Sequence, residues 1–299
     1  MTDVWDDLRR RWQEAYEAAE NGDDEDEEGV RLTPTGLGAS VNPIAVLGEP
    51  GAGKTVLYKS LSLAYRGGAS DSTISPDAEK HQSILKVDGT KQLRLSVVVI
   101  PGQASHEREQ AMRETMLGDA SPRGIIYVTC WGHNRIWHRG VQQEVQEALE
   151  DEYGAVTAEG LRDWHLEKER ADFRDLVYRI IDKEVAKRLE WLAVVVSKAD
   201  LYWDRLDEAR DYYIPGGPGG PDTESRFCRL LRDLEEETRL RIAVVPMSSR
   251  LIRYQALPGL GSTRSLLDDP QLGPLRRNLG RTVQELLLPA QSGAGRGRR

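Results

Sequence analysis

The chain has 299 residues, 49 acidic and 41 basic, giving a formal charge of −8, and 39% of it is hydrophobic. That length can bury a substantial core, as one large domain or a domain with insertions. The acidic balance argues against non-specific nucleic-acid binding, and no apolar run approaches the ~20 residues needed to span a bilayer. The N-terminus, Met1 to Asp7, is acidic where a secretory signal would be basic and then apolar, and neither end carries a lipidation signal. Cys130 and Cys228 form no disulfide framework and read as packing thiols in a reducing cytoplasm.

Residues 1–20 read as an amphipathic helix, with Val4, Leu8, Trp12 and Tyr16 at four-residue spacing. That stripe needs a surface to pack on, either the main domain or a partner. Residues 21–38 read as a linker around the acidic run Asp23 to Glu28, solvated and leaving the helix free to swing. The globular domain is expected over 39–290, with a disordered basic tail at 291–299.

Ile44 to Leu47 is a buried strand that runs into Gly48-Glu49-Pro50-Gly51-Ala52-Gly53-Lys54-Thr55-Val56. Gly48, Gly53, Lys54 and Thr55 match the phosphate-loop pattern G-x-x-x-x-G-K-[ST] between a strand and a helix. Glycines let successive backbone N–H groups turn inward around an anion, and the helix that follows aims its positive end at the same place. Lys54 suits the β- and γ-phosphates, and the Thr55 hydroxyl suits Mg²⁺. A helix is expected over about 54–66, then a polar loop over 67–80.

His81–Val87 and Leu93–Ile100 are strand-like, and Asp88-Gly89 between them is a hairpin signal. The second ends at Pro101-Gly102-Gln103. A helix follows from Glu107 to about Leu117, and Gly124–Cys130 is the next buried strand. Trp131, His133, Arg135, Trp137, His138 and Arg139 form an aromatic, basic cluster, suited either to a partner surface or to packing of the helices beyond it. His133 and His138 lack zinc-like spacing. Helices are expected around Val141–Leu149 and over Leu161–Leu189. This connection, about 131–190, exceeds one crossover helix and reads as a helical insertion.

Trp191–Val196 is a central strand leading into Ser197-Lys198-Ala199-Asp200. The Pro- and Gly-rich stretch 215–221 is a loop. Phe227 to Leu234 marks a helix, and Arg241–Pro246 is the last strand, followed by Met247-Ser248-Ser249. A loop over about 251–274 precedes a final helix carrying Leu275, Leu279, Val283, Leu286 and Leu287. Alternating strands and helices mean an α/β fold, a doubly wound, mostly parallel sheet of about six strands. Ligands in such sheets bind beyond the carboxyl ends of the strands, where every motif above falls.

The order of these strand ends resembles the Ras-like P-loop small GTPases, over about residues 41–290. The resemblance implies roles residue by residue. Gly102 would meet the γ-phosphate and Gln103 would orient the attacking water. Ser197, Lys198 and Asp200 look like the guanine-reading N-K-x-D motif, with the Asp200 carboxylate accepting from the base. Ser248 and Ser249, with Arg250, are similar to the family's S-A-K, whose backbone faces the guanine O6. Thr73, among Ser70, Ser72 and Ser75, is the candidate for the loop residue that contacts Mg²⁺ and the γ-phosphate. Two positions depart from the pattern. Val99 stands where the family carries an aspartate that supports Mg²⁺, and Ser197 replaces Asn or Thr.

The segment Ile100-Pro101-Gly102-Gln103 resembles a bacterial branch of cell-polarity and gliding-motility GTPases that also lacks the aspartate. Similar domains accompany bacterial conflict systems. The resemblance implies a switch with GTP or GDP as ligand and Mg²⁺ as cofactor, hydrolysing slowly until a GTPase-activating partner binds. Activating or effector proteins would engage the switch segments and inserted helices; the oligomeric state stays open. The alternatives are a nucleotide-loaded scaffold with little hydrolysis or, on the phosphate loop taken alone, an ATPase. His106 reads as a surface histidine or as an aid to water activation.

Overall fold

A computed structural model of the chain describes residues 4–22, 32–34, 42–61, 78–87, 91–102, 106–117, 121–136, 138–182, 188–248 and 253–288. Seven strands form one sheet in the order β1-β3-β4-β2-β5-β6-β7. The parallel part is β4 (Lys91–Val99), β2 (Asn42–Leu47), β5 (Gly124–Thr129), β6 (Trp191–Val196) and β7 (Arg241–Pro246). β3 (Glu79–Val87) runs antiparallel to β4, and the short β1 (Leu32–Pro34) runs antiparallel to β3. The α/β expectation therefore holds, with one strand more than expected. The extra one, β1, lies in the stretch assigned to the linker, where three residues are too few to show a period.

Central strands are buried on both faces, so they read as unbroken apolar runs. Leu192 to Val196 are all 0% exposed, as are Ile125, Tyr127 and Val128. The hairpin of β3 and β4 has Val87 opposite Lys91, and Asp88 and Gly89 lie outside the described residues.

α1 (Val4–Asn21) belongs to the same core. Trp5, Leu8, Trp12, Ala15 and Ala19 are buried against α8 (Asp269–Leu287) and β7. Val4 is exposed, so the buried stripe starts one residue later than expected. Arg9 reaches Asp211 and the Ile214 carbonyl, Arg11 pairs with Glu285, and Tyr16 stacks on Trp203. The domain, rather than a partner, takes the apolar face of this helix.

α2 (Lys54–Leu61) follows the phosphate loop, and α3 (His106–Leu117) follows β4. Between β5 and β6 lie α4 (Arg139–Tyr153) and α5 (Ala158–Ile181). α5 buries Phe173, Leu176, Val177 and Ile180 in the main core and is the crossover helix itself. α4 sends Val145 and Leu149 into a small separate cluster with Ile136, Leu161 and Leu257. Only α4 and its flanks behave as added structure. α5 also ends at Ile181, earlier than the apolar spacing suggested. α6 (Leu206–Tyr213) and α7 (Arg226–Glu237) connect β6 to β7. α8 begins at Asp269, inside the expected loop, behind an Asp268 capping box with Gln271. Pro270 takes the second helical position, whose N–H needs no partner within the helix, while Pro274 lies inside the helix.

Candidate functional site

The phosphate loop sits at the carboxyl end of β2. Gly48 has φ 131°, and a Cβ there would stand 2.1 Å from the Val128 carbonyl oxygen. Only glycine fits both the backbone and the neighbouring strand. The Lys54 ammonium is buried and donates to the carbonyls of Gly48 (2.8 Å) and Glu49 (3.0 Å). Two of its three N–H donors are thus used within the loop, and the third is available to an anion. Burial, then the nearby Arg108, push its pKa down to about 8. Pro50, Gly51 and Ala52 carry the loop across to Gly53, whose carbonyl accepts the first helical bond of α2 from Leu57 (2.8 Å). Thr55 and Val56 are half-buried in the first turn.

The segment after β6 is tied to this loop. The Ser197 hydroxyl donates to the Ala52 carbonyl (2.6 Å). The Lys198 amine donates to the carbonyls of Gly51 and His133, each at 2.6 Å. Lys198 has φ 57°, a left-handed conformation costing about 1–2 kcal/mol in a residue with a Cβ. The two carbonyls hold the side chain, and thereby the backbone, in place. Burial lowers its pKa. Asp200 is buried, and its Oδ1 accepts from the Ser248 hydroxyl at the end of β7 (2.5 Å). Its Oδ2 is buried and has no hydrogen-bond partner among the described residues. Burial raises the Asp200 pKa, opposed by the hydroxyls of Ser248 and Ser265. A carboxylate oxygen buried without a donor is costly, so a ligand donor there would offset a penalty already built in.

Gly102 lies against the opposite side of the loop. A Cβ on it would meet the Lys54 amine and the Pro50 nitrogen, both at 2.5 Å. Arg108, from α3, donates to the Gly102 carbonyl (3.0 Å) and is ion-paired with Asp172 of α5. The Tyr127 hydroxyl donates to the other Asp172 oxygen (3.0 Å), and Tyr213 donates to the buried Glu169 (2.6 Å). Burial raises Glu169 to about 8. Burial and the Asp172 charge raise Glu49, within the loop itself, well above the ordinary carboxylate range. Val99 is buried and carries no carboxylate into this region.

The expected residues Gly48 to Val56, Gly102, Ser197, Lys198, Asp200 and Ser248 therefore meet at one edge of the sheet. Gln103, Thr73 and Ser249 lie outside the described residues, as do Arg250 and Trp137. Sequence reasoning missed Arg108, Asp172, Glu169 and Asn134, whose amide donates to the Pro50 carbonyl (2.9 Å). No motif spacing marks them. Trp131 is a packing residue: it is buried between the guanidinium groups of Arg162 and Arg205, about 5 Å from each. His133 stacks on Tyr202, and His106 is exposed at the start of α3. Cys130 and Cys228 are buried free thiols pushed up to about 12 and about 11 by burial, consistent with packing roles.

No described helix is long and apolar enough to cross a membrane. No family model matches the chain, and a search of curated proteins finds no match. Among solved structures it is similar to one described as "The Structure of the Mammalian SRP Receptor", with 14% identity and a TM-score of 0.41 over 82% of this chain and 100% of that one.

Proposed function

We propose that this chain binds a guanine nucleotide with Mg²⁺, hydrolyses GTP slowly, and uses the exchange to control a protein partner. The observation that carries the reading is the buried Oδ2 of Asp200, which no donor among the described residues meets in full hydrogen-bond geometry, in a segment hydrogen-bonded to the phosphate loop through Ser197 and Lys198. Guanine offers a carboxylate two adjacent donors, N1–H and the exocyclic amine; adenine offers no such pair. The tethers link the spacing of base reader and phosphate cradle to the backbone rather than to mobile side chains.

In this reading the backbone N–H groups of residues 48–53 and the free donor of Lys54 hold the β- and γ-phosphates. Thr55 offers the hard oxygen that Mg²⁺ prefers, so the residues present fit that ion. When bound, Mg²⁺ would supply neutralisation of phosphate charge. The Gly102 N–H would face the γ-phosphate, Gln103 would orient the water, and Thr73 would contact the metal and the γ-phosphate. Ser248 holds Asp200, and the Ser249 backbone faces the guanine O6. Arg108 and Asp172 connect Gly102 to α5, so a change at the γ-phosphate has a route to the surface formed by α3 and α5, where an activating or effector protein would dock.

Thermal shift separates the base readings. GDP with Mg²⁺ is expected to raise Tm by several degrees, as mass action requires of a ligand well above its Kd, while ADP leaves it unchanged. Preference for ADP would eliminate the role given to Asp200. The buried aliphatic Val99 favours a second reading, a nucleotide-loaded scaffold with little turnover. Phosphate release that is measurable and lost in Gln103→Ala supports the switch; release no faster than in Gln103→Ala supports the scaffold.

A further inference from the structure

Val99 leaves the metal side of the site without its usual acid, and the register of the sheet points to a replacement. Glu79, the first residue of β3, lies directly opposite Val99 in the antiparallel pairing with β4. Directly opposed residues project from the same face of a sheet with Cβ atoms about 4.5–5.5 Å apart. Two residues along, His81 lies opposite Val97, and the His81 ring stacks on Tyr58 of α2 at 4.2 Å between centroids. The face shared by Glu79, His81, Val97 and Val99 is therefore the one that α2 covers.

Direction completes the placement. β3 enters the sheet at the edge where β4 ends, which is the phosphate-loop edge, and runs away from it; α2 leaves the phosphate loop and runs the same way. From the Tyr58–His81 contact, one helical turn back along α2, about 4.5 Å, reaches Thr55. Two residues back along β3, about 6.7 Å, reach Glu79. Both steps lead to the loop, so Thr55 and Glu79 converge beside Val99. The Glu79 carboxylate is 26% exposed and touches the His81 ring nitrogen at 3.2 Å. A half-buried carboxylate beside a hydroxyl is a hard-oxygen pair that suits Mg²⁺, which keeps most of its waters and takes one or two protein carboxylates beside phosphate oxygens.

We propose that Glu79 is the acid that positions the Mg²⁺ shell in this chain, supplied by the strand next to the one that ends in Val99. The inference rests on the nucleotide reading above. Glu79 is a positioning residue, holding a metal-bound water and orienting the ion over Thr55.

Dissociation of fluorescent GDP from the full chain, measured across a Mg²⁺ titration, tests it. Glu79→Gln is expected to raise the Mg²⁺ concentration for half-maximal retention about tenfold, the usual scale for removing a carboxylate that supports a metal. Moving the acid back, in Glu79→Gln/Val99→Asp, is expected to restore the wild-type midpoint. His81→Phe keeps a ring against Tyr58 and is expected to leave the midpoint unchanged. An unchanged midpoint in Glu79→Gln, or an equal shift in His81→Phe, overturns the proposal. Retention of no GDP by the unsubstituted protein at any Mg²⁺ concentration would instead defeat the nucleotide reading itself.

Discussion

The two ends of the candidate nucleotide site share one sheet edge and are built on different physics. At the base end, hydrogen bonds fix Ser197, Lys198, Asp200 and Ser248 to each other and to the phosphate loop, and one carboxylate oxygen is left over. At the phosphate end, Glu49, Lys54, Arg108 and Asp172 crowd together under burial, and Lys54 and Glu49 are both displaced toward neutrality. The base end is held by hydrogen bonds that run to fixed backbone carbonyls and to the Ser248 hydroxyl. The phosphate end is a balance of charges that an arriving anion would change. In the proposed function, selectivity would belong to the first and sensitivity to the third phosphate to the second.

The largest effect should come from the base end. Asp200→Ala removes the acceptor of two donors on a charged group, about 3 kcal/mol in all or roughly 100-fold in GDP affinity, and the distinction between GDP and ADP should vanish. Competition titration against a fluorescent nucleotide measures both. A loss below threefold would mean that Asp200 does not touch the ligand.

pH separates the two ends more sharply. In the free chain Lys54 releases its proton near pH 8, because burial opposes the charge; a phosphate beside it restores the charge. GDP binding above pH 8 should therefore take up a proton, and affinity should fall by up to about tenfold per pH unit. Calorimetry in buffers of different ionisation enthalpy reads the uptake, and Lys54→Ala should abolish it along with much of the affinity. The sign reverses for stability without ligand. The unfolded lysine keeps its proton up to its ordinary value of 10.5 and the folded one only to about 8, so this group makes the empty fold more stable as pH rises through that window. Binding that is flat from pH 7 to 9.5 would put Lys54 out of reach of the phosphates.

Ser248→Ala should give the smallest change. It deletes one neutral donor to Asp200 and leaves the carboxylate in place, for about 1 kcal/mol or roughly fivefold in GDP affinity. A loss as large as that of Asp200→Ala would show that the base end depends on its hydrogen-bond network more than on the carboxylate.

Local chemistry was enough to read the frame from sequence. The apolar runs at Ile44–Leu47, Gly124–Thr129, Trp191–Val196 and Arg241–Pro246 became the parallel strands, because strands buried on both faces must be apolar throughout. The glycine spacing around Gly48 to Gly53 marked the loop, because only glycine tolerates those dihedrals and that proximity to β5. Misreadings occurred where tertiary contacts overrode local signals. α1 presents Trp5 rather than Val4 to the core, since the surface it docks on selects the face. β1 is a strand only through its pairing with β3. Residues 269–274 were assigned to the loop, yet the Asp268 cap starts α8 there.

Sequence by itself determined the elements and the one loop whose chemistry is written in consecutive residues. Only the tertiary structure decided what stands beside that loop. Asp172 and Arg108 are 64 positions apart and meet across two helices, and Glu79 is opposite Val99 because of strand register. The physical reason is that hydrogen bonds and charge act over a few ångströms in space, and chain separation carries no trace of them until the sheet brings distant residues together.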